Sequence, residues 1–381
     1  MPPDAPPQLI DLGGRLTLAQ HPEGNCALPG LLHRLEDPLS ATEALKTARE
    51  SVAKLFHADP EEVIFTSGGT EASNAAIKGL AAAADHQGGP RRILLSAVEH
   101  LPVLHAARSL ERQGYQVREV PVSASGHVDA RVFQSGMNRS TAFAALQWAN
   151  HELGVLQPVG AVARMAEELG IPLHVDATAA AGWVNIDWPA SRATTLSVSS
   201  RHMGGPPGVG ALLVRTGQPW FPLVEGGLQE EGRRAGVLHP ALVTGFGLSA
   251  LAAARHLRER SRRAARLAAE LARACREKVK DLAIVSDEMS GLPGHLLLRV
   301  SGVDGEALLV GLARAGIEAS SASPCAHGGR PSRMLQAIGM TPAESASTLL
   351  IRVTASHPDS MIAPVAEALA AVAGRLRAMA P

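Results

Sequence analysis

Apolar positions repeat along this chain with two periods, and the alternation between them predicts the fold. From Thr42 to Phe56 they fall at Leu45, Ala48, Val52 and Leu55, the spacing of a helix with one buried face. Val63-Ile64-Phe65 then reads as a short strand, residues 66–70 as a turn and residues 71–84 as an alanine-rich helix. Further strands are expected at 93–95, 116–121, 142–146 and 172–176, with helices at 102–113 and 160–169. Strands and helices that take turns in this way form a mostly parallel sheet covered on both faces, and ligands of such sheets gather at the carboxyl ends of the strands.

A different texture runs from Ser197 to Gly210, as Ser197-Val198-Ser199-Ser200-Arg201-His202-Met203-Gly204-Gly205-Pro206-Pro207-Gly208-Val209-Gly210, before the apolar Ala211-Leu212-Leu213-Val214. One β-type run enters this loop and another leaves it. The loop between is too rich in Gly and Pro to read as helical and has the shape of a cofactor seat, with His202 at its centre. After about Pro240 a long Ala/Arg/Leu-rich helical region covers 242–280, followed by strands at 283–285, 295–300 and 349–353 and helices at 306–315, 332–338 and 362–379. The expected division is a large α/β domain over residues 15–245 and a smaller α/β domain over 246–381, with residues 1–40 packing partly on the smaller one.

Composition narrows the function classes. With 381 residues, 46% hydrophobic and 19% charged, the chain can bury a sizeable core without disulfides. Lys plus Arg and Asp plus Glu both number 36, and no basic block occurs, which argues against nucleic acid or an anionic membrane as the main partner. No uninterrupted apolar run is long enough to span a bilayer, residues 1–7 lack the features of a signal peptide, and Cys26, Cys275 and Cys325 are few and far apart. A cytoplasmic location is expected on those grounds, and no metal site.

Several residues could carry chemistry. Gly68-Gly69-Thr70 lies between a strand and a helix, where free amides and the helix dipole make either a phosphate cup or a plain helix start. Glu99-His100 and Asp176 also follow strands, so together with Gly69, Thr70 and the His202 loop they fall on one edge of one sheet. Cys325 sits in a Ser/Ala/Gly loop close to His327, Arg330 and Arg333, a setting that favours the reactive thiolate, whereas Cys275 lies inside a helix and reads as packing. Arg352 is a charge within the apolar strand Leu349 to Val353, which calls for a carboxylate or phosphate partner, with a structural salt bridge as the alternative.

These residues resemble a known family. Phe65-Thr66-Ser67-Gly68-Gly69-Thr70-Glu71-Ala72-Ser73-Asn74, Glu99-His100, Asn150-His151-Glu152-Leu153-Gly154, His174-Val175-Asp176-Ala177, Gly208-Val209-Gly210, Ser320 to Cys325 and Ile351-Arg352 are similar, in order and spacing, to motifs of the cysteine desulfurases. These are class V aminotransferase-type enzymes dependent on pyridoxal phosphate (PLP). The resemblance implies an α/β fold of PLP fold type I, with a mainly parallel seven-stranded sheet in the large domain, and a homodimer with PLP between the domains. It also assigns roles. Gly69, Thr70 and Ser199 would hold the phosphate, His100 would stack on the ring, and Asp176 would pair with the pyridine nitrogen. Arg352 would take the substrate carboxylate, and Cys325 would receive sulfur as a persulfide.

The departures are as systematic as the matches. The family's Schiff-base lysine falls on His202, and the histidine before it falls on Arg201. None of the lysines, Lys46, Lys54, Lys78, Lys278 and Lys280, lies near a matched site segment. An Asn that contacts the PLP ring oxygen is His151, a Gln three residues after the aspartate is Ala179, and the Thr that reaches the partner's phosphate is Val237. The early Asp-Asn-x-Ala-Thr-Thr motif is reduced to Asp11-Leu12-Gly13-Gly14-Arg15. Each lost contact is worth about 0.5–1.5 kcal/mol, so weak or absent PLP binding is expected.

Three readings follow. In the first, the chain is a desulfurase-like protein with a degenerate site, keeping a sulfur-transfer, Fe–S-assembly or binding role through Cys325 with a sulfur-acceptor or scaffold partner. In the second it is an active lyase or transferase holding PLP noncovalently, with His202 as general base, as a histidine stands in for this lysine in some sugar dehydratases of the same fold. The third is an ordinary desulfurase. The first is favoured because the phosphate and ring contacts changed along with the lysine.

Overall fold

The computed structural model describes residues 16–17, 38–286, 290–321 and 332–379. Its strands are β1 (Leu16–Thr17), β2 (Val63–Thr66), β3 (Arg92–Ser96), β4 (Gln116–Val120), β5 (Thr141–Gln147), β6 (Leu173–Asp176), β7 (Thr195–Ser199), β8 (Gly210–Val214), β9 (Leu282–Ile284), β10 (His295–Val300), β11 (Ile317–Glu318) and β12 (Thr348–Arg352). Seven of them form one sheet in the order β2-β8-β7-β6-β5-β3-β4. Only β8 runs against its neighbours, β2 and β7, so the sheet is mainly parallel, as expected. Helices cover both faces, which is why β2, β5, β6 and β8 are buried at every residue and not at alternate ones.

The helix Pro240–Lys278 spans 39 residues and joins two cores. As far as Ala264 its buried face packs into the core that contains the middle of the large sheet. From Leu267 to Cys275 it packs instead against the three-stranded antiparallel sheet β12-β10-β9 and the helix Ile362–Met379. The division expected at 245/246 falls inside this continuous helix. Near the other end of the chain, β1 pairs in parallel with β11, Leu16 opposite Ile317 and Thr17 opposite Glu318.

Several local readings change. The turn expected at 66–70 is shorter, because the helix Gly69–His86 begins at Gly69. The helix expected over 102–113 is an α-helix, Leu101–Ser109, tightened into a 3-10 turn, Leu110–Gln113, that ends at Gly114 with φ 86°. The loop read as non-helical opens with one 3-10 turn, Ser200–Met203, closed by Gly204 at φ 93°. Three short helices escaped the periodicity: Ala130–Gly136, Trp188–Ser191 and Pro342–Ala346, each defined by a side-chain cap from Asp129, Asp187 or Thr341 and too short to repeat an apolar face. No helix among the described residues is long and apolar enough to cross a membrane.

Candidate functional site

Gly69, His100, Asp176 and His202 follow β2, β3, β6 and β7, and these four strands run in the same direction. Their carboxyl ends therefore share one edge, and the sheet brings together residues up to 133 positions apart in the chain. Two glycines make the edge compact. A Cβ on Gly210 would sit 2.8 Å from the Gly68 Cα and 2.6 Å from the Val198 carbonyl oxygen, so only glycine lets β8 pass beneath the turn. A Cβ on Gly69 would meet the Thr178 methyl at 2.5 Å, and so the start of the helix Gly69–His86 lies directly against the residue that holds Asp176.

That helix starts without a side-chain cap at Gly68, leaving first-turn amides available to an anion. Glu71, whose charge would oppose one, accepts from the Ser67 amide at 2.8 Å and is neutralised by Arg234, whose Nε lies 2.8 Å from Oε1. Ser73 donates to Ser197 in a buried 3.0 Å hydrogen bond that fixes the helix to β7. Thr70 is exposed and Ser199, the last residue of β7, is half-buried.

Asp176 is 2% exposed. Its Oδ1 accepts from the Thr178 amide at 2.9 Å and the Thr178 hydroxyl at 2.6 Å, while buried Oδ2 has no hydrogen-bond partner among the described residues. His100 Nδ1 lies 3.6 Å from that oxygen. Burial works against the carboxylate, but the His100 and Thr178 contacts outweigh it and hold the pKa at about 2. Glu99 differs: its Oε1 accepts from Ser96 and the Gln147 amide, yet desolvation dominates and raises its pKa to about 7.

His151 stacks on His100 with ring centroids 4.3 Å apart and planes tilted by 58°. Burial, then the charges of His100 and His295, keep it well below the usual histidine range. Asn150 shapes the turn that carries it, accepting from the Glu152 and Leu153 amides at 2.9 and 2.7 Å. His202 is partly buried, and its carbonyl accepts from the Trp183 indole at 2.8 Å. Desolvation, with the charges of Arg201, His100 and Arg352, lowers its pKa to about 3, so the imidazole is neutral. Four of the five lysines are exposed, and Lys78 lies in the middle of the helix Gly69–His86.

Arg352 does not form, among the described residues, the structural salt bridge that is the alternative reading of it. Among the described residues it has no carboxylate partner; its Nη1 hydrogen-bonds His295 Nδ1 at 3.3 Å, and its guanidinium carbon lies 4.9 Å from the Trp183 ring centre. His295 Nε2 donates to the Glu152 carbonyl at 2.7 Å, which places the ring proton on Nε2 and leaves Nδ1 to accept. Trp183, Arg260 and His295 were not singled out in the sequence, since nothing in an apolar run or a helix face marks a residue that acts through a distant neighbour. Cys325 lies outside the described residues. Cys275 is packing, as expected: buried, with desolvation pushing its thiol up to about 12. Among the described residues no cluster of His, Cys, Asp or Glu could hold a metal ion.

Comparison with known proteins fits this arrangement. The chain is 33% identical to a cysteine desulfurase of Archaeoglobus fulgidus over 349 residues, covering 90% of this chain and 88% of the relative. It is 34% identical over 344 residues to an IscS-like cysteine desulfurase of Mycobacterium tuberculosis, covering 89% and 88%. A solved NifS-like protein superposes with a TM-score of 0.87 at 23% identity, covering 95% of this chain and all of the other, and shows the fold. The aminotransferase class-V family matches residues 31–349, and with these relatives it establishes that the chain belongs to the cysteine desulfurase family.

Proposed function

We propose that this chain is a cysteine desulfurase homologue that keeps the seat for PLP but not the lysine chemistry, and that it does not release sulfur from cysteine by itself. The observation that carries this is His202 at the end of β7, with no lysine beside it. The residues present fit the ring and the phosphate. The buried Oδ2 of Asp176, without a hydrogen-bond partner among the described residues and 3.6 Å from His100 Nδ1, would accept the pyridine N–H, His100 would cover the ring, and the uncapped helix start at Gly69 and Thr70, with Ser199, would take the phosphate. They do not fit the aldehyde, because an imidazole forms no stable linkage to it. His151, Ala179 and Val237 remove further contacts, so binding is weak and noncovalent.

When bound, PLP supplies an electron sink for charge developing next to a substrate carbonyl or imine. Asp176 would keep the ring nitrogen protonated and Arg352 would orient a carboxylate. His202, with a pKa of about 3, is a weak proton acceptor. That weakness counts against an active lyase or transferase using His202 as general base. The retained Asp176 oxygen is the observation in favour of that second reading.

In the first reading sulfur chemistry rests on Cys325 as a persulfide carrier for an acceptor or Fe–S scaffold protein, in a cytoplasmic homodimer. Support for the dimer comes from Leu228 and Val237, 88% and 86% exposed on the segment that resembles the family's partner-reaching loop. The test is spectroscopic and chemical. The purified protein with added PLP is expected to stay colourless and release no sulfide from L-cysteine, while Cys325 takes a persulfide from an active desulfurase. Sulfide release would overturn the proposal.

A further inference from the structure

We propose that the site binds a small dianion, such as a dicarboxylate, through Arg260 and Arg352 acting together. Arg352, at the end of β12, is 6% exposed; Arg260 rises from the helix Pro240–Lys278. Both guanidinium carbons lie over the same indole, that of Trp183, at 4.9 Å for Arg352 and 4.1 Å for Arg260. Each cation is drawn to the negative π-face of that ring, and Arg260 is near enough for its charge to act on Arg352. What is missing is negative charge. Other arginines here meet carboxylates, as Arg49 meets Glu230 and Arg234 meets Glu71, but among the described residues neither Arg260 nor Arg352 does.

The donor inventory leads the same way. Each guanidinium carries five N–H donors. Arg352 uses one on His295 Nδ1 at 3.3 Å, and Arg260 one on the Met203 carbonyl at 3.5 Å, with no other acceptor among the described residues. His295 cannot offset the charge, because it is a neutral acceptor whose proton is committed to the Glu152 carbonyl. Burial pushes the Arg352 pKa down to about 9, with the charge of Arg260 adding to it, and that of Arg260 to about 10. Two partly desolvated cations that repel one another are costly unless an anion joins them. Trp183 also donates to the His202 carbonyl, so the pair adjoins the site already described. A zwitterionic amino acid with one carboxylate satisfies one arginine; a ligand with two anionic groups satisfies both.

This inference deepens the function proposed above by naming the charge of its ligand. Calorimetry reads it without turnover, so sulfide release from cysteine would overturn that proposal and leave this one standing. Succinate, sulfate and propionate are titrated into the full chain. Succinate or sulfate is expected to bind roughly ten- to a hundred-fold more tightly than propionate, the worth of one added charged hydrogen-bond partner. A preference for succinate marks two spaced groups, and one for sulfate a single compact dianion. Arg260→Gln is expected to abolish the preference, with dianion affinity falling to that of propionate. Equal affinity for propionate and both dianions, or a preference that survives Arg260→Gln, would overturn the inference. If that variant does not fold, Arg260→Lys carries the test, since losing the planar fork lowers the preference severalfold; an unchanged preference counts against the pair.

Discussion

The histidine in the 3-10 turn after β7 can be tested by putting a lysine in its place. In His202→Lys the new amine enters surroundings that hold the native imidazole at about 3 in place of 6.5, through desolvation and the charges of Arg201, His100 and Arg352. That depression is worth about 4–5 kcal/mol against the charged form. Part of His202 is open to solvent, so a longer side chain should feel about half to two thirds of it, which brings a lysine amine from its ordinary ~10.4 to about 8–9. Only a neutral amine condenses with an aldehyde, so a covalent PLP adduct should form above about pH 8–9 and be lost below it. The assay is visible absorbance on PLP titration across pH, followed by borohydride reduction and intact-mass measurement. An adduct that appears only near the pKa of a free lysine would show that the pocket does not desolvate this position. No adduct at any pH would show that Asp176, His100 and the phosphate cup no longer seat the ring, and the proposed retention of that seat would fail.

Other expectations concern stability. His174, His202 and His295 are depressed to about 4, 3 and 3, and His151 lies well below 6.5, so each stays neutral when folded but is protonated in the unfolded chain below 6.5. Their stabilisation is full above pH 6.5 and is lost as pH falls toward 4. Glu99, raised to about 7, binds its proton earlier in the folded state and opposes one of the four. The urea midpoint should therefore fall steeply between pH 6.5 and 4, at up to about 4 kcal/mol per pH unit, and a flat profile would contradict the burial of these rings. Gly210→Ala should cost about 1–3 kcal/mol in urea unfolding by forcing β8 away from Gly68, with a matching loss of phosphate or sulfate affinity. Glu230→Ala removes the acceptor of Arg49 and of the Phe65 amide, at 2.9 and 2.8 Å, and should cost about 2–3 kcal/mol by the same measurement. A thiol reagent should leave Cys275 unmodified in the folded protein and label it only on unfolding, because burial holds that thiol protonated.

Much of the molecule could be read from the residues alone, because local chemistry determined it. Apolar runs marked the strands of the large sheet, and strand ends marked Gly69, Thr70, His100, Asp176 and His202, since a parallel sheet delivers such ends to one edge whatever lies between them. That residue 202 is a histidine, with the five lysines standing elsewhere in the chain, is a fact of sequence and needs no coordinates. Short capped helices were not legible, because one or two turns carry no period. Partnerships were decided by the tertiary structure. Arg352 looked like half of a salt bridge, yet the fold sets it against Trp183 and a neutral His295 and brings Arg260 from the long helix to the same indole. A charge in a strand announces that it needs a partner, but which group comes within reach depends on how distant elements pack. Only that packing shows two arginines without a carboxylate among the described residues.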